Sequence, residues 1–209
     1  MHTLTIETLP VGLLGSNVYL IYTHSGGEAA IVDPGVRDTT PIRKALTDKS
    51  LNLRTLINTH GHFDHIAGNR LLKDPGVVLA LHKADRDLLI MGGGSSQFGY
   101  QIPLSPEPDR FLEDGDTIRI DDLTLEVIHT PGHTQGSICL YYAKTPVLLT
   151  GDTLFAGSVG RTDLPGGNPH QLRQSLMRIG TLPESTMLYP GHGPSTTLAK
   201  QIRINPWLQ

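Results

Sequence analysis

Thr59-His60-Gly61-His62-Phe63-Asp64-His65 follows directly on the apolar run Leu56-Ile57. Three imidazoles and a carboxylate crowd into a few residues around a glycine. That is a poor sequence for packing a core and a good one for holding a cation. Neutral imidazole and carboxylate suit zinc, iron or manganese, and no thiolate is offered. Working outward, the pattern recurs. Ile31-Val32 leads into Asp33, and Val127-Ile128 into Thr130-Pro131-Gly132-His133. Leu148-Leu149 leads into Gly151-Asp152-Thr153, and Leu188 into Pro190-Gly191-His192-Gly193. Each short β-prone run delivers a histidine or an aspartate into a tight loop. If these strand ends share one edge of the fold, the side chains converge on a site held by rigid strands.

His60, His62, Asp64, His65, His133, Asp152 and His192 exceed the four ligands that one tetrahedral ion takes, which points to two ions. His60, His62 and His133 form a three-histidine set with one open position. Asp64, His65 and His192 form a second set, and Asp152 bridges the two. Asp33 is either a plain turn residue or a group that orients a ligand histidine. His129 reads as strand-end packing, and His2, His24, His82 and His170 as surface or capping residues. Gly61, Gly132, Gly151 and Gly191 read as tight-turn glycines.

Between these points the chain alternates short strands and helices. Thr3–Leu9, Val18–Tyr22, Ala29–Val32, Leu53–Thr59 and Val77–Leu81 read as strands of the first half. Pro41–Lys49, Ala67–Lys73 and Lys83–Met91 read as its helices. Gly92–Arg110 is a long Gly/Ser/Pro-rich loop, and such loops are often functional. Phe111–Ile128 reads as paired strands around Asp121-Asp122. Ile138–Tyr142, Val147–Thr150 and Thr186–Tyr189 are further strands. Asn168-Pro169 opens a helix to Ile179, and Ser195–Arg203 reads as a closing helix. Strands early in each half and helices closing it predict an α+β sandwich with helices outside two sheets.

With 209 residues, 38% apolar and 18% charged, the chain fits a single globular domain over 1–209. A formal net charge of −3 offers no basic surface for a phosphate backbone, so nucleic acid is excluded as a first partner. The one cysteine, Cys139, allows no internal disulfide and reads as inert strand packing. The absence of a charged leader or an 18-residue apolar run predicts a soluble, cytoplasmic protein with no membrane association, as a monomer or homodimer.

The His60–His65 motif, followed in order by His133, Asp152 and His192, resembles the metallo-β-lactamase superfamily over nearly the whole chain. The resemblance implies a four-layer αβ/βα sandwich with a dinuclear site at one edge. Gly151-Asp152-Thr153-Leu154-Phe155 and Pro190-Gly191-His192-Gly193-Pro194 are most similar to the glyoxalase II (hydroxyacylglutathione hydrolase) group. Asn205-Pro206-Trp207-Leu208 is similar to its short bacterial branch, and Gly160-Arg161-Thr162-Asp163 is shared with persulfide dioxygenases. An aspartate at 152, where β-lactamases of the superfamily carry cysteine, implies a native activity other than antibiotic hydrolysis. Residues 1–209 are read as one domain, and the C-terminal helical domain that binds glutathione in full-length glyoxalase II is not expected among them.

What the resemblance implies is a zinc-, iron- or manganese-dependent hydrolase acting on a small-molecule thioester such as S-lactoylglutathione. A hydroxide bridging the ions attacks the acyl carbon, with Asp64 and Asp152 as catalytic carboxylates. Arg161 stands where the family carries a basic substrate-binding residue, and Asp163 replaces the tyrosine two positions on. Lys200 and Arg203 on the last helix are further basic residues, read as a solvated face. The alternative is a mononuclear-iron persulfide dioxygenase using His60 or its neighbours, His133 and Asp152.

Overall fold

The computed structural model describes residues 3–9 and 12–209; His2 lies outside them. Strands β1 (Thr5–Leu9), β2 (Val18–Tyr22), β3 (Glu28–Val32), β4 (Asn52–Ile57), β5 (Val78–His82) and β6 (Arg110–Leu112) lie side by side in that order. The β3, β4, β5 and β6 strands run parallel, and the first three pair antiparallel. The second sheet holds β7 (Thr117–Ile120), β8 (Leu123–His129), β9 (Ile138–Tyr142) and β10 (Val147–Gly151). After the ribbon β11 (Leu154–Phe155) and β12 (Ser158–Val159), β13 (Met187–Pro190) and β14 (Thr196–Thr197) complete it. Its order is β14-β13-β10-β9-β8-β7, with β10 and β13 parallel.

Strand alternation decides what each face packs against. Tyr19 and Ile21 of β2 join Val127, Leu140 and Leu149 between the sheets. Val18 and Leu20 face the other way, onto Ile42 and Leu46 of α1 (Thr40–Asp48). Pro41 in the first turn of α1 presets its backbone, and the i, i+4 pair Ile42/Leu46 gives it one apolar stripe. The one-turn helices α2 (Phe63–Ile66) and α3 (Asn69–Leu72) and the short α4 (Arg86–Ile90) follow in the first half. On the far side, α5 (Pro169–Ile179) buries Leu172, Leu176 and Ile179 against the outer face of the second sheet. The Asn168 side chain caps it by accepting from the His170 and Gln171 N–H groups. With α6 (Leu198–Ile204) beside it, the layers are helix, sheet, sheet, helix, as the sequence predicts.

Several elements differ from the sequence expectation. Ala67–Lys73 is not one helix. The chain bends at Gly68, whose N–H donates to the Pro34 carbonyl at 2.7 Å, and a Cβ there would sit 2.7 Å from that same oxygen. The site segment itself forms α2, carrying Asp64 and His65. Phe111 does not pair with the β7–β8 hairpin, because β6 adds to the first sheet beside β5. Lys83–Met91 divides into a 3-10 turn at Lys83–Asp85 and α4. The Gly92–Arg110 loop holds a 3-10 turn at Ser95–Phe98. Ser195–Arg203 begins as β14, and the Thr197 hydroxyl then caps α6 at the Lys200 N–H. Among the described residues no helix is long and apolar enough to cross a membrane.

Candidate metal centre

The parallel strands β3 and β4 end side by side, and Asp33 joins their ends. It turns out of β3 with φ +51°. Its Oδ1 accepts from the Thr59 N–H at 2.7 Å and its Oδ2 from the Thr59 hydroxyl at 2.6 Å. The same Oδ2 stands 3.0 Å from His65 Nδ1. A proton on that Nδ1 leaves the Nε2 lone pair facing outward. Asp33 is therefore not a plain turn residue: it orients a histidine. His133 is fixed in the same way, with Nδ1 donating to the Arg161 carbonyl at 2.7 Å.

The loop carrying His192 is fastened from the opposite end of the chain. The Asn17 amide donates to the Pro190 and Gly193 carbonyls at 2.9 and 2.8 Å, and the Tyr19 hydroxyl to Pro190 at 2.6 Å. Burial lifts that phenol above its ordinary range. Gly191 leaves no room for a side chain, since a Cβ would lie 2.1 Å from Asp152 Oδ1.

All seven predicted donors meet at this edge. His60, His62 and His133 form one compact group, and Asp64, His65 and His192 another, each with its donor atoms within 4.8 Å of one another. Asp152 stands between them. Its Oδ2 is 3.5 Å from His133 Nε2 and 3.6 Å from His192 Nε2, and its Oδ1 is 3.5 Å from His65 Nε2. Asp33 also clusters with His60 and His65, but its oxygens are committed to Thr59 and His65.

The donors fit cations. His60 Nε2 and Asp152 Oδ1 are buried without a hydrogen-bond partner, and a buried polar atom left so is costly. His62 Nδ1 faces His133 Nε2 at 2.9 Å, and His65 Nε2 faces His192 Nε2 at 3.3 Å. Imidazole nitrogens turned toward one another in pairs are what a positive charge between them would organise.

The two groups differ in charge. Burial, followed by repulsion from the other histidines, holds His60 well below the usual imidazole range. Burial and His133 push His62 down to about 3. Burial also disfavours charge on His65, but Asp152, Asp64 and Asp33 outweigh it and lift that imidazole to about 10. Burial raises Asp64, yet His65 and His192 bring it down to about 2. His192 is raised, its burial overcome by Asp64 and Asp152.

One positioning residue was missed from sequence. Asp85 is buried, with Oδ2 accepting from the Gly61 N–H at 2.8 Å and the Thr134 hydroxyl at 2.7 Å. Its Oδ1 accepts from the Gly136 N–H at 2.6 Å. It thus pins the His60–His62 loop to the His133 loop. Burial nevertheless pushes its carboxyl above the usual range, outweighing these hydrogen bonds. In sequence it looks like one more charge on a helix, Lys83-Ala84-Asp85-Arg86, and no local signal marks it.

The other residues singled out from sequence lie elsewhere. His82 stacks on His129 at 4.0 Å, and its Nδ1 caps the Ala84 N–H. Cys139 is buried in β9, and burial pushes its thiol up to about 11. The mouth of the centre is lined by Leu14, Phe63, Phe98, Leu164 and Arg161 around the donor side chains. The Arg161 guanidinium donates to both oxygens of Asp163, at 2.7 and 2.8 Å.

The family model described as the metallo-beta-lactamase superfamily matches residues 11–192. The chain belongs to that superfamily. A protein of Aquifex aeolicus described as uncharacterized is 40% identical over 207 residues, 97% of this chain and 96% of its own. Hydroxyacylglutathione hydrolase GloC of Haemophilus influenzae is 33% identical over 210 residues, 98% of each chain. Two solved structures match at 35% identity, covering 98% of this chain and 100% of theirs. One is BLEG-1, a B3 metallo-beta-lactamase, with a TM-score of 0.89. The other is a protein in a di-iron-bound form, with a TM-score of 0.86. A metal-dependent hydrolase of the metallo-β-lactamase superfamily is thus the family-level description of this chain.

Proposed function

We propose that this metallo-hydrolase cleaves acyl thioesters in the manner of glyoxalase II, in a reducing cytoplasm, with two divalent cations. His60, His62 and His133 would hold one, Asp64, His65 and His192 the other, and Asp152 would serve both. Zinc suits these donors best, with iron or manganese as substitutes. When bound, such cations supply Lewis acidity, making water acidic near neutral pH and polarising a carbonyl.

The observation that carries the reading is the position of Asp152, within 3.6 Å of donors from both groups at the floor of an open mouth. The chain's own residues do the rest. Asp33 and the Arg161 carbonyl fix the imidazole tautomers of His65 and His133. Asp64, brought down to about 2 by His65 and His192, stays ionised, which suits it to hold a cation rather than to keep a proton. A thiolate is a good leaving group, so the absence of a strong general acid among the lining residues is no obstacle. Arg161 on the rim would attract an anionic thiol arm only weakly, because Asp163 occupies its guanidinium. The GloC relative supports thioesters as the substrate class.

The test is metal analysis and turnover on one purified sample. Two ions per chain and hydrolysis of S-lactoylglutathione or another acyl thioester, without oxygen consumption, is the expected result. One iron per chain with oxygen consumed on a persulfide would replace this reading by the dioxygenase. Faster opening of a β-lactam than of any thioester would replace it by the activity that BLEG-1's name carries.

A further inference from the structure

Leu14 combines two features that the fold itself does not need. Its backbone lies in the left-handed region, φ +55°, which L side chains rarely adopt. Its side chain is 54% exposed at the mouth of the metal centre. Glycine would satisfy that backbone without strain, as it does next door at Gly15, φ +80°. Strain kept at a functional edge is a reason to ask what the side chain does there.

The turn that presents Leu14 is anchored on every side. The Leu13 N–H donates to Gly35 and the Gly12 N–H to Ser16. The Ser16 hydroxyl donates to the Asp64 carbonyl at 2.6 Å, and Ser16 pairs with His192 as an isolated bridge. Leu14 is therefore held in fixed relation to both loops of the second donor group. Phe98 also lines this mouth, 41% exposed, on a 3-10 turn bounded by Gly94 and Gly99 at φ +77° and +72°. Its ring lies 5.6 Å from that of Phe63, which is buried behind it. Leu164 adds apolar wall, and the guanidinium on the rim is already bound to Asp163.

We propose that this mouth selects the acyl half of the substrate: an aliphatic or aryl acyl group lying against Leu14 and Phe98, in preference to a hydroxyacyl group. The inference rests on the thioester reading for its reaction but not for its binding chemistry. A hydroxyl carried against Leu14, Phe98 or Leu164, away from the donor side chains, would lose water and gain no partner from those three residues. Each methylene laid against them gains contact and leaves water.

The experiment uses the zinc-loaded protein and the product acids acetate, butyrate, hexanoate and octanoate, titrated calorimetrically. Hydrolysis of the matching thioesters of one thiol, with the lactoyl thioester, is measured alongside. Affinity should tighten roughly two- to fourfold per added methylene until the wall is covered. Leu14→Gly and Phe98→Ala should each flatten the series while leaving acetate within about twofold, since their chief loss is contact area. Leu14→Gly should keep its Tm within about 3 °C, because relief of strain offsets the looser unfolded chain. A flat series in the parent protein overturns the inference, and so does an unchanged slope in both variants. A slope in binding with no thioester hydrolysis upholds the apolar mouth and overturns the thioester reading. Hydrolysis with no slope does the reverse.

Discussion

The two donor groups sit a few ångströms apart and are built on opposite electrostatic plans. The group of His60, His62 and His133 offers imidazoles alone, and burial and mutual repulsion hold His60 and His62 unprotonated. Asp64, His65 and His192, with Asp33 behind and Asp152 beside them, are rich in carboxylate, and His65 is lifted to about 10. His60 and His62 are ready for a cation as they stand. The second already balances its negative charge with a proton, which a cation would have to displace. Fold position contributes to the difference: β3 delivers Asp33 beside the end of β4, with its Oδ2 3.0 Å from His65 Nδ1.

Asp152 belongs to both plans, so its loss should have the largest effect. Asp152→Ala should release both ions and lower kcat by at least about 10³-fold, whereas His192→Ala should empty only the second group. Elemental analysis beside steady-state kinetics reads this. Equal metal loss in the two variants would break the claim that one carboxylate serves both groups.

The next effect is in pH. A histidine must be deprotonated to ligate, so the second group, with His65 at about 10, should gain affinity by up to about tenfold per pH unit between pH 6 and 8. The sign follows from the direction of the shift: raising pH strips the proton with which the cation competes. At the first group His60 and His62 have already lost theirs, so they contribute no such slope over that range. Competitive zinc titrations at several pH values should resolve one steep and one shallower site. Two equal slopes would remove the electrostatic contrast.

Positioning residues come next. Asp33→Asn keeps the size of the side chain but presents an amide where two oxygens accept from Thr59 and one of them faces His65. Asp85→Asn does the same to Gly61, Thr134 and Gly136 around the first group. Asp85→Asn should weaken the first group by about 10- to 100-fold and leave the second nearly unchanged. Asp33→Asn should weaken the second group by as much and the first less, because the Thr59 hydroxyl it holds lies 3.1 Å from His60 Nδ1. Equal loss at both groups in the Asp85 variant would show the two plans to be one cooperative unit.

How much of this was legible from sequence follows physical lines. The seven donors were, because each follows an apolar β-run and a glycine-containing turn, and those signals are local. The four layers were, because strand alternation and the α5 stripe Leu172, Leu176 and Ile179 are periodic. Asp85 was not, since its partners lie 24, 49 and 51 residues away and only the packed fold brings them together. The break at Gly68 was hidden for the same reason: it is set by the carbonyl of Pro34, not by helix propensity. The pairing of β6 with β5, and the two-residue strands β11, β12 and β14, are likewise too short to carry a period of their own.

The smallest effect expected lies on the rim, where the contrast between a charged and a neutralised group can be tested with one substitution. Arg161 is 53% exposed and its guanidinium is chelated by Asp163 at 2.7 and 2.8 Å. Side-chain hydrogen bonding from Arg161 holds the Asp163 carboxyl down to about 2, so it stays ionised across the working pH range. An exposed pair of this kind is worth little to stability, so breaking it should leave Tm nearly unchanged. It does, however, consume the planar fork that would otherwise grip a substrate carboxylate. Arg161→Ala should therefore raise KM for a glutathione thioester only about twofold, with kcat unchanged, as expected for weak uniform binding. Asp163→Ala should act in the opposite direction, freeing the guanidinium and lowering KM about two- to fivefold for anionic thiols while leaving a neutral thiol's thioester unaffected. Steady-state kinetics on the two variants with a matched pair of thiols reads the sign directly. A rise in KM for the Asp163 variant would mean that the carboxylate orients Arg161 toward the substrate instead of withholding it.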